Sequence, residues 1–524
     1  MTDNSFLRNK KILYILQRNN AFKQFPIVEK FYQSGVKLST LAFKKTTEKY
    51  LSTQSKVKFE GILNQSYIEE NAKEIVEKNN YRFENFREDY GITSIWKHAS
   101  SLRRKVLSYK KKYPFSFEQS ASDEEIENYI LAFGFELKNF FYKFKPDLCI
   151  GYIYGTIEFL LLEKLCNKEK IPYYNNSDTK VDNIAAFFYD TSHSKSFFHH
   201  RTKNLNDSNK ISKNKSKAEN YISNYLIKSK SKDYTLTNLL TEPSNLDRKV
   251  FNISDIKQLF RSIYHTLKMY NVDKKKLDGS DNTDIYHNLR DYFTKQKNIF
   301  EVGRMKFDDL EVIKDFVYLP LGLYPETGLG MLNNVYDNQI NTAKILARFL
   351  PNNLTLVVKD HPYAFGRNSK NFLLKLQKSP NVKLINHKIP NAHIYDKMKY
   401  LISFGGTSIF ESCIYKKPAI QIGSLGIMNN LPNFYLLKDI SKIEDLILKI
   451  DENFKEYSNS DSYRKKLINY ISAAYDTGYF IDIYESQIDK IEKNKDYIWN
   501  VHLNEISKIF KYKNKFCFKD NNFI

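Results

Sequence analysis

The chain has 524 residues, and its 82 Lys plus Arg against 60 Asp plus Glu leave a net charge of +22. A hydrophobic fraction of 42% and an aromatic fraction of 15% exclude a disordered chain and provide for two or three packed domains. Four scattered cysteines (Cys149, Cys166, Cys413 and Cys517) with no CxxC pair exclude a disulfide scaffold and a zinc ribbon, and fit a reducing, cytoplasmic setting.

No run of 18 uncharged apolar residues occurs, so no segment is expected to span a membrane. The apolar run after MTDNSFLRNK reads as a first strand, since no small-residue cleavage site follows it. Abundant Lys, Asn, Ile, Tyr and Phe fit AT-biased coding, so charge alone names no partner.

From the N-terminus, KILYIL (11–16) reads as a strand, followed by a helix around 25–34 and then KLSTLAF (37–43). Ile126, Tyr129, Ile130, Phe133 and Leu137 repeat at helical spacing within 123–142. PDLCIGYIY (146–154) and IPYYN (171–175) are strands around a helix at 156–168. These elements predict a Rossmann-like, acceptor-side domain over 1–190.

Residues 191–305 read as a basic, partly mobile insertion and helical linker. Within them, 195–232 hold ten Lys/Arg and two Asp/Glu with little apolar periodicity. Ile256, Leu259, Phe260, Ile263 and Leu267 then form a helical stripe behind Ser254 as cap.

Glycine and proline are concentrated in 303–432, which hold nine of 17 glycines and eight of 13 prolines. Strands are expected at 316–321, 354–358, 382–385, 400–404 and 418–422. Helices are expected at 338–350 behind Asp337, then at 369–377, 391–399 and 406–416. Apolar, non-alternating strands alternating with helices predict a doubly wound parallel sheet over 306–450, with a helical tail over 451–524.

Such sheets bind ligands beyond the carboxyl ends of their strands. Three loops leave such ends here: Lys359-Asp360-His361-Pro362 with Gly366-Arg367, Gly405-Gly406-Thr407-Ser408, and Gly423-Ser424-Leu425-Gly426. Two glycines followed by hydroxyls at a helix start suit an anion, because free N–H groups and the positive helix end point at it. The bland reading is a capping box, from the S-x-x-E spacing of Ser408 and Glu411. For His361 it is a loop imidazole bonded to a backbone carbonyl. No GxGxxG follows the first strand, and neither GxxxxGK[ST] nor HExxH occurs, so dinucleotide, P-loop and catalytic-metal readings have no support.

The segments YLPLGLYPETG (318–328), YDNQ (336–339), ARFLP (347–351), VVKDHP (357–362), SPNVKLI (379–385), FGGTSIFES (404–412) and YKKPAIQIG (415–423) together resemble the capsule-polysaccharide synthesis family. That family includes the capsule β-Kdo transferases and related surface-carbohydrate glycosyltransferases. The resemblance implies a GT-B fold, with two Rossmann-like domains, an interdomain cleft and no required metal or cofactor. It implies that His361, Thr407 and Ser408 hold the donor phosphate; Lys359, Arg367, Gly405 and Gly406 are donor-binding candidates from the loop chemistry above. Glu411 would approach the ribose and Glu326 would line the cleft. Gly322 departs from the family, whose members often carry histidine there. REDYG (87–91) loosely resembles an acidic motif of bacterial sialyltransferases, which makes Glu88 and Asp89 candidate bases; the alternative is a solvated helix-end carboxylate.

The leading expectation is a glycosyltransferase moving a sugar from a nucleotide donor, a CMP-sugar among the options, onto a capsular or other surface polysaccharide or its lipid-linked primer. Its partners would be the nucleotide-sugar, a glycan or glycolipid acceptor, capsule-assembly proteins and the inner membrane face, with RRK (103–105) and KKK (110–112) as docking runs. The alternative is a nucleotide-sugar epimerase or glycerophosphotransferase of the same fold. A nucleic-acid-binding protein, suggested by the charge, is disfavoured because the basic residues scatter and no such motif appears.

Overall fold

The computed structural model describes residues 4–102, 121–151, 155–208, 210–229, 250–272, 285–323, 331–480 and 493–511. It contains two α/β sheets. The first is built from β1 (Lys11–Gln17), β2 (Lys37–Phe43), β3 (Phe59–Asn64), β4 (Leu148–Ile150), β5 (Tyr173–Asp178) and β6 (Ile184–Phe188). The second holds β7 (Phe316–Pro320), β8 (Thr355–Lys359), β9 (Val382–Ile385), β10 (Tyr400–Ser403), β11 (Ala419–Ile422) and β12 (Phe434–Leu437). A last strand, β13 (Tyr479–Phe480), returns to the first sheet.

The strand order of the second sheet is β9-β8-β7-β10-β11-β12, all parallel, which is the Rossmann order. The first sheet runs β3-β2-β1-β4-β5 in parallel, then adds β6 antiparallel to β5 and β13 antiparallel to β6. The protein is therefore a GT-B-like pair of Rossmann-like domains. Strands such as Ile12–Leu16 and Phe316–Leu319 are buried throughout, because helices cover both faces of each sheet. The helix Asp123–Phe144 begins where Ser122 and Glu125 form a reciprocal capping box, and buries the stripe read from its sequence.

Several expectations are corrected. The segment read as a mobile insertion contains the helices Phe197–Asp207 and Lys215–Lys228. Phe198, Leu205, Ala218 and Tyr225 enter the same core as the second sheet. Their carboxylate anchor is Asp476, which accepts from Arg201 Nε, Ser212 Oγ and Asn214 Nδ2, each at 2.8 Å. The buried apolar side chains named are seven residues apart, with the polar His199 and Thr202 between the first two, so the apolar helical period is thin in the sequence. Asn338, not Asp337, caps the helix Gln339–Phe349 by accepting from Asn341 N. Ser254 lies inside the helix Ile253–Val272, with its amide held by Asn252 Oδ1 at 3.0 Å.

The C-terminal region also crosses between domains. After the helix Asp461–Thr477 packs on the second domain's core, β13 joins the first sheet. The helix Lys495–Lys511 then buries Trp499, Leu503, Ile506 and Ile509 in the first domain's core, with Trp499 edge-on to Phe31 at 4.8 Å. Among the described residues no helix is long and apolar enough to cross a membrane.

Candidate functional site

The carboxyl edge of the second sheet gathers the loops that carry the candidate residues. The Rossmann order reverses direction between β7 and β10, and the loop after β10 enters the helix Thr407–Ile414 there. Gly405 and Gly406 have φ of +117° and +103°, a region that side chains rarely adopt. Among the described residues, a Cβ on Gly406 would meet nothing within 4 Å, so the turn is open at that point.

The capping-box reading of this helix is wrong. Gly406 is the N-cap and offers no side chain, while Ser408 lies in the first turn and Glu411 deeper within the helix. Ser408 Oγ instead turns back to Ser403 Oγ at 3.1 Å, and Ser403 Oγ also receives the Gly405 amide at 3.2 Å. That exchange pins the glycine turn to the end of β10. The first helical amides, of Thr407 and Ser408, have no intrahelical acceptor, and Thr407 is half-exposed.

His361 follows β8, on the other side of β7, so its loop leaves the edge two strand spacings away, about 10 Å. Its Nδ1 accepts the Tyr363 amide at 3.2 Å, and its ring stacks on Tyr363 with centroids 5.7 Å apart. Because Nδ1 is the acceptor, the neutral ring carries its proton on Nε2. Burial, reinforced by the charges of Lys359 and Arg367, pushes the imidazole down to about 4. At neutral pH it is therefore an uncharged N–H donor. Arg367 is half-exposed beside it, with its carbonyl held by Asn298 Nδ2 at 3.2 Å.

Lys359, at the end of β8, and Glu411, within the helix after β10, turn to buried partners. Lys359 Nζ donates to Ile389 O at 2.9 Å and to Asn391 Oδ1. Glu411 accepts from Tyr395 Oη at 2.6 Å, and Tyr318 Oη reaches Asn391 Oδ1 at 3.3 Å. Burial pushes Lys359 down to about 7, opposed by the nearby Glu411 carboxylate, while burial raises Glu411 itself. These residues form a buried polar cluster in which carbonyls, hydroxyls and charged ends satisfy one another. Both side chains expected at the donor are thus engaged by buried protein groups.

A loop that the sequence reading passed over ties the edge together. Asn333, in the connection after β7, donates to Phe404 O at 2.8 Å. Its side chain fills the space beside Gly423, where an added Cβ would lie 1.2 Å from Asn333 Oδ1. Ser424 Oγ donates to Leu332 O at 2.8 Å. Gly322, the departure from the family pattern, has its amide and carbonyl clasped by Gln339 at 2.6 and 3.1 Å. Gly423→Ala, at φ +122°, is expected to lower the melting temperature sharply, with partial relief in the Gly423→Ala/Asn333→Ala double variant. An unaltered melting temperature for the single variant would overturn that arrangement. Glu326, RRK (103–105) and KKK (110–112) lie outside the described residues.

The first domain meets this edge directly. Gly426 N donates to Ser192 O at 2.7 Å, and Asn430 Nδ2 lies 2.9 Å from His199 Nδ1. Asn334 Nδ2 donates to Lys97 O, in the short helix Trp96–Ala99. Ser101 Oγ bonds His98 O and receives the amide of Ile157, where the helix Ile157–Lys168 starts at the carboxyl end of β4. His98 thus lies on the crevice side of the first domain. Its Nδ1 is buried with no hydrogen-bond partner among the described residues. Burial, then Lys97 and Lys164, push it down to about 4.

Glu88 and Asp89 are at the wrong edge. Asp89 accepts from Tyr81 Oη at 2.8 Å and Lys138 Nζ at 2.7 Å, and its carbonyl receives Lys168 Nζ at 3.4 Å. Lys168 ends the helix that began at the crevice, so Asp89 sits at the amino edge, with Glu88 exposed beside it. Asp89 closes a structural ion pair with Lys138.

No protein-family model and no curated protein matches the chain. Among solved structures, the UDP-GlcNAc 2-epimerase from Neisseria meningitidis bound to UDP-GlcNAc is 12% identical, covering 89% of this chain and 98% of its own, at a TM-score of 0.23. The Methanocaldococcus jannaschii UDP-GlcNAc 2-epimerase in complex with UDP-GlcNAc and UDP is 12% identical over 87% and 97%, at 0.26. The calicheamicin glycosyltransferase CalG4 is 10% identical over 90% and 95%, at 0.22. Superposition at these scores is loose, so the reading of the site rests on this chain's own residues.

Proposed function

We propose that the protein is a glycosyltransferase that moves a sugar from a nucleotide-activated donor onto a surface glycan or its lipid-linked primer. The observation that carries this reading is the glycine-opened helix Thr407–Ile414, on the same sheet edge as the Nε2–H donor of His361. Breaking the bond between sugar and phosphate leaves negative charge on the phosphate. The amides of Thr407 and Ser408, the Thr407 hydroxyl and His361 Nε2–H would hold that charge in place, and Arg367 would add its cation.

On the facing domain, His98 would orient the acceptor hydroxyl as a neutral hydrogen-bond partner, since burial pushes its imidazole down to about 4 and leaves it a weak base at pH 7. The family resemblance in the sequence supports the same assignment through His361, Thr407 and Ser408.

The test is a thermal-shift screen with CMP, UDP, GDP and CDP, followed by product analysis with the sugar form of the responding nucleotide. A nucleotide present at 100-fold excess over its Kd should stabilise the fold by about 2.7 kcal/mol. Transfer to an acceptor supports the proposal. A free epimerised donor would instead assign the alternative, a nucleotide-sugar epimerase of this fold, and no response to any nucleotide would refute both.

A further inference from the structure

The helices Ile253–Val272 and Ile285–Gly303 pack antiparallel. Asp255 meets Lys295 at 3.3 Å and Gln296 at 3.3 Å, while Ser262 Oγ donates to Asn288 Oδ1 at 2.8 Å. Asp255 and Ser262 therefore mark the inner face of the first helix. About half a turn away lies a different surface. Ile253, Phe260 and Leu267, spaced by seven, are 70%, 66% and 46% exposed. Lys257 and Arg261 are exposed on the same stripe.

This pattern is unusual for a water-facing helix, whose large apolar side chains ordinarily turn toward the core. The cations in the stripe narrow the choice of what covers it. A second copy of the same face would bring Lys257 and Arg261 against like charge, since the only carboxylate of this helix, Asp255, is buried on the other side. An anionic lipid surface satisfies both features: its headgroups attract the cations, and its acyl boundary takes the apolar side chains. The two helices together carry six Lys/Arg and three Asp/Glu, in a chain of net charge +22, so the wider field has the same sign.

We propose that the outer face of the helix Ile253–Val272 docks this protein on an anionic lipid bilayer, lying in the plane of the headgroups. The helix binds without spanning, with Phe260 and Leu267 entering the acyl boundary and Lys257 and Arg261 at the phosphate level. The inference stands on this face alone and is independent of the enzymatic reading.

The experiment is co-sedimentation of the full chain with phosphatidylcholine vesicles, with and without phosphatidylglycerol, beside sedimentation equilibrium without lipid. The wild type should bind the phosphatidylglycerol vesicles and bind the neutral ones poorly. Lys257→Glu/Arg261→Glu should weaken binding by roughly 30-fold or more, since each basic residue near such a surface contributes about 1 kcal/mol. Phe260→Ser/Leu267→Ser should also reduce it, with the melting temperature unchanged because these side chains face water. Failure of the wild type to bind anionic vesicles, equal binding by both variants, or a wild-type dimer dissolved by the same substitutions would overturn the proposal.

Discussion

His361→Ala is expected to lower turnover of the nucleotide donor by about 100- to 1,000-fold, the usual effect of removing one preorganised donor from a developing oxyanion. The melting temperature should fall only modestly, because the variant loses a local cap, worth about 1 kcal/mol, and one ring stack. Steady-state kinetics beside a thermal melt separate the two effects; a variant of near-normal turnover would remove His361 from the site. The pH dependence has a definite sign. The folded imidazole titrates near 4, below the ordinary 6.5, so its contribution to stability is complete above 6.5 and is lost as pH falls toward 4. Donor binding through Nε2–H should therefore stay flat between pH 7 and pH 5, where the ring remains neutral.

Glu411→Ala is expected to destabilise the second domain by about 1–3 kcal/mol, since it leaves the buried Tyr395 hydroxyl without its acceptor and removes a carboxylate near Lys359. Glu411→Gln keeps an acceptor for the Tyr395 hydroxyl and should lose much less. Urea unfolding of the two variants measures the difference. The opposite pattern, a stable Glu411→Ala protein that no longer binds nucleotide, would return this carboxylate to the ribose contact that the family resemblance implies.

The second sheet is largely legible in the sequence, because a strand buried on both faces is written as an unbroken apolar run. VKLI (382–385) coincides with β9, and YLISF and PAIQI lie within a residue of β10 and β11. In the first sheet, Glu60 and Gly61 break the apolar run of β3, and IAAFF of β6 follows too closely on the preceding strand to announce itself. At the site, the glycine pair and His361 are legible because their chemistry is local. The inward turn of Lys359 and Glu411 is not, since Ile389, Asn391 and Tyr395 decide it from other segments. For the same reason Asp89 passes for a base until Lys138 and Tyr81 are seen on it. Asn333 and His98 carry no motif at all; only the fold brings them to the crevice.

The late return of the chain to β13 and the helix Lys495–Lys511 has a mechanical consequence. Two strands of backbone, not one, now join the lobes, and each half keeps part of the other's sequence inside its own hydrophobic interior. Such a molecule resists being pulled apart, the more so because Val181, Ile184, Ala186 and Phe188 of the first domain share the core of the second sheet. Cutting it at a midpoint would leave neither fragment with a complete interior, so the lobes should melt together as one cooperative unit.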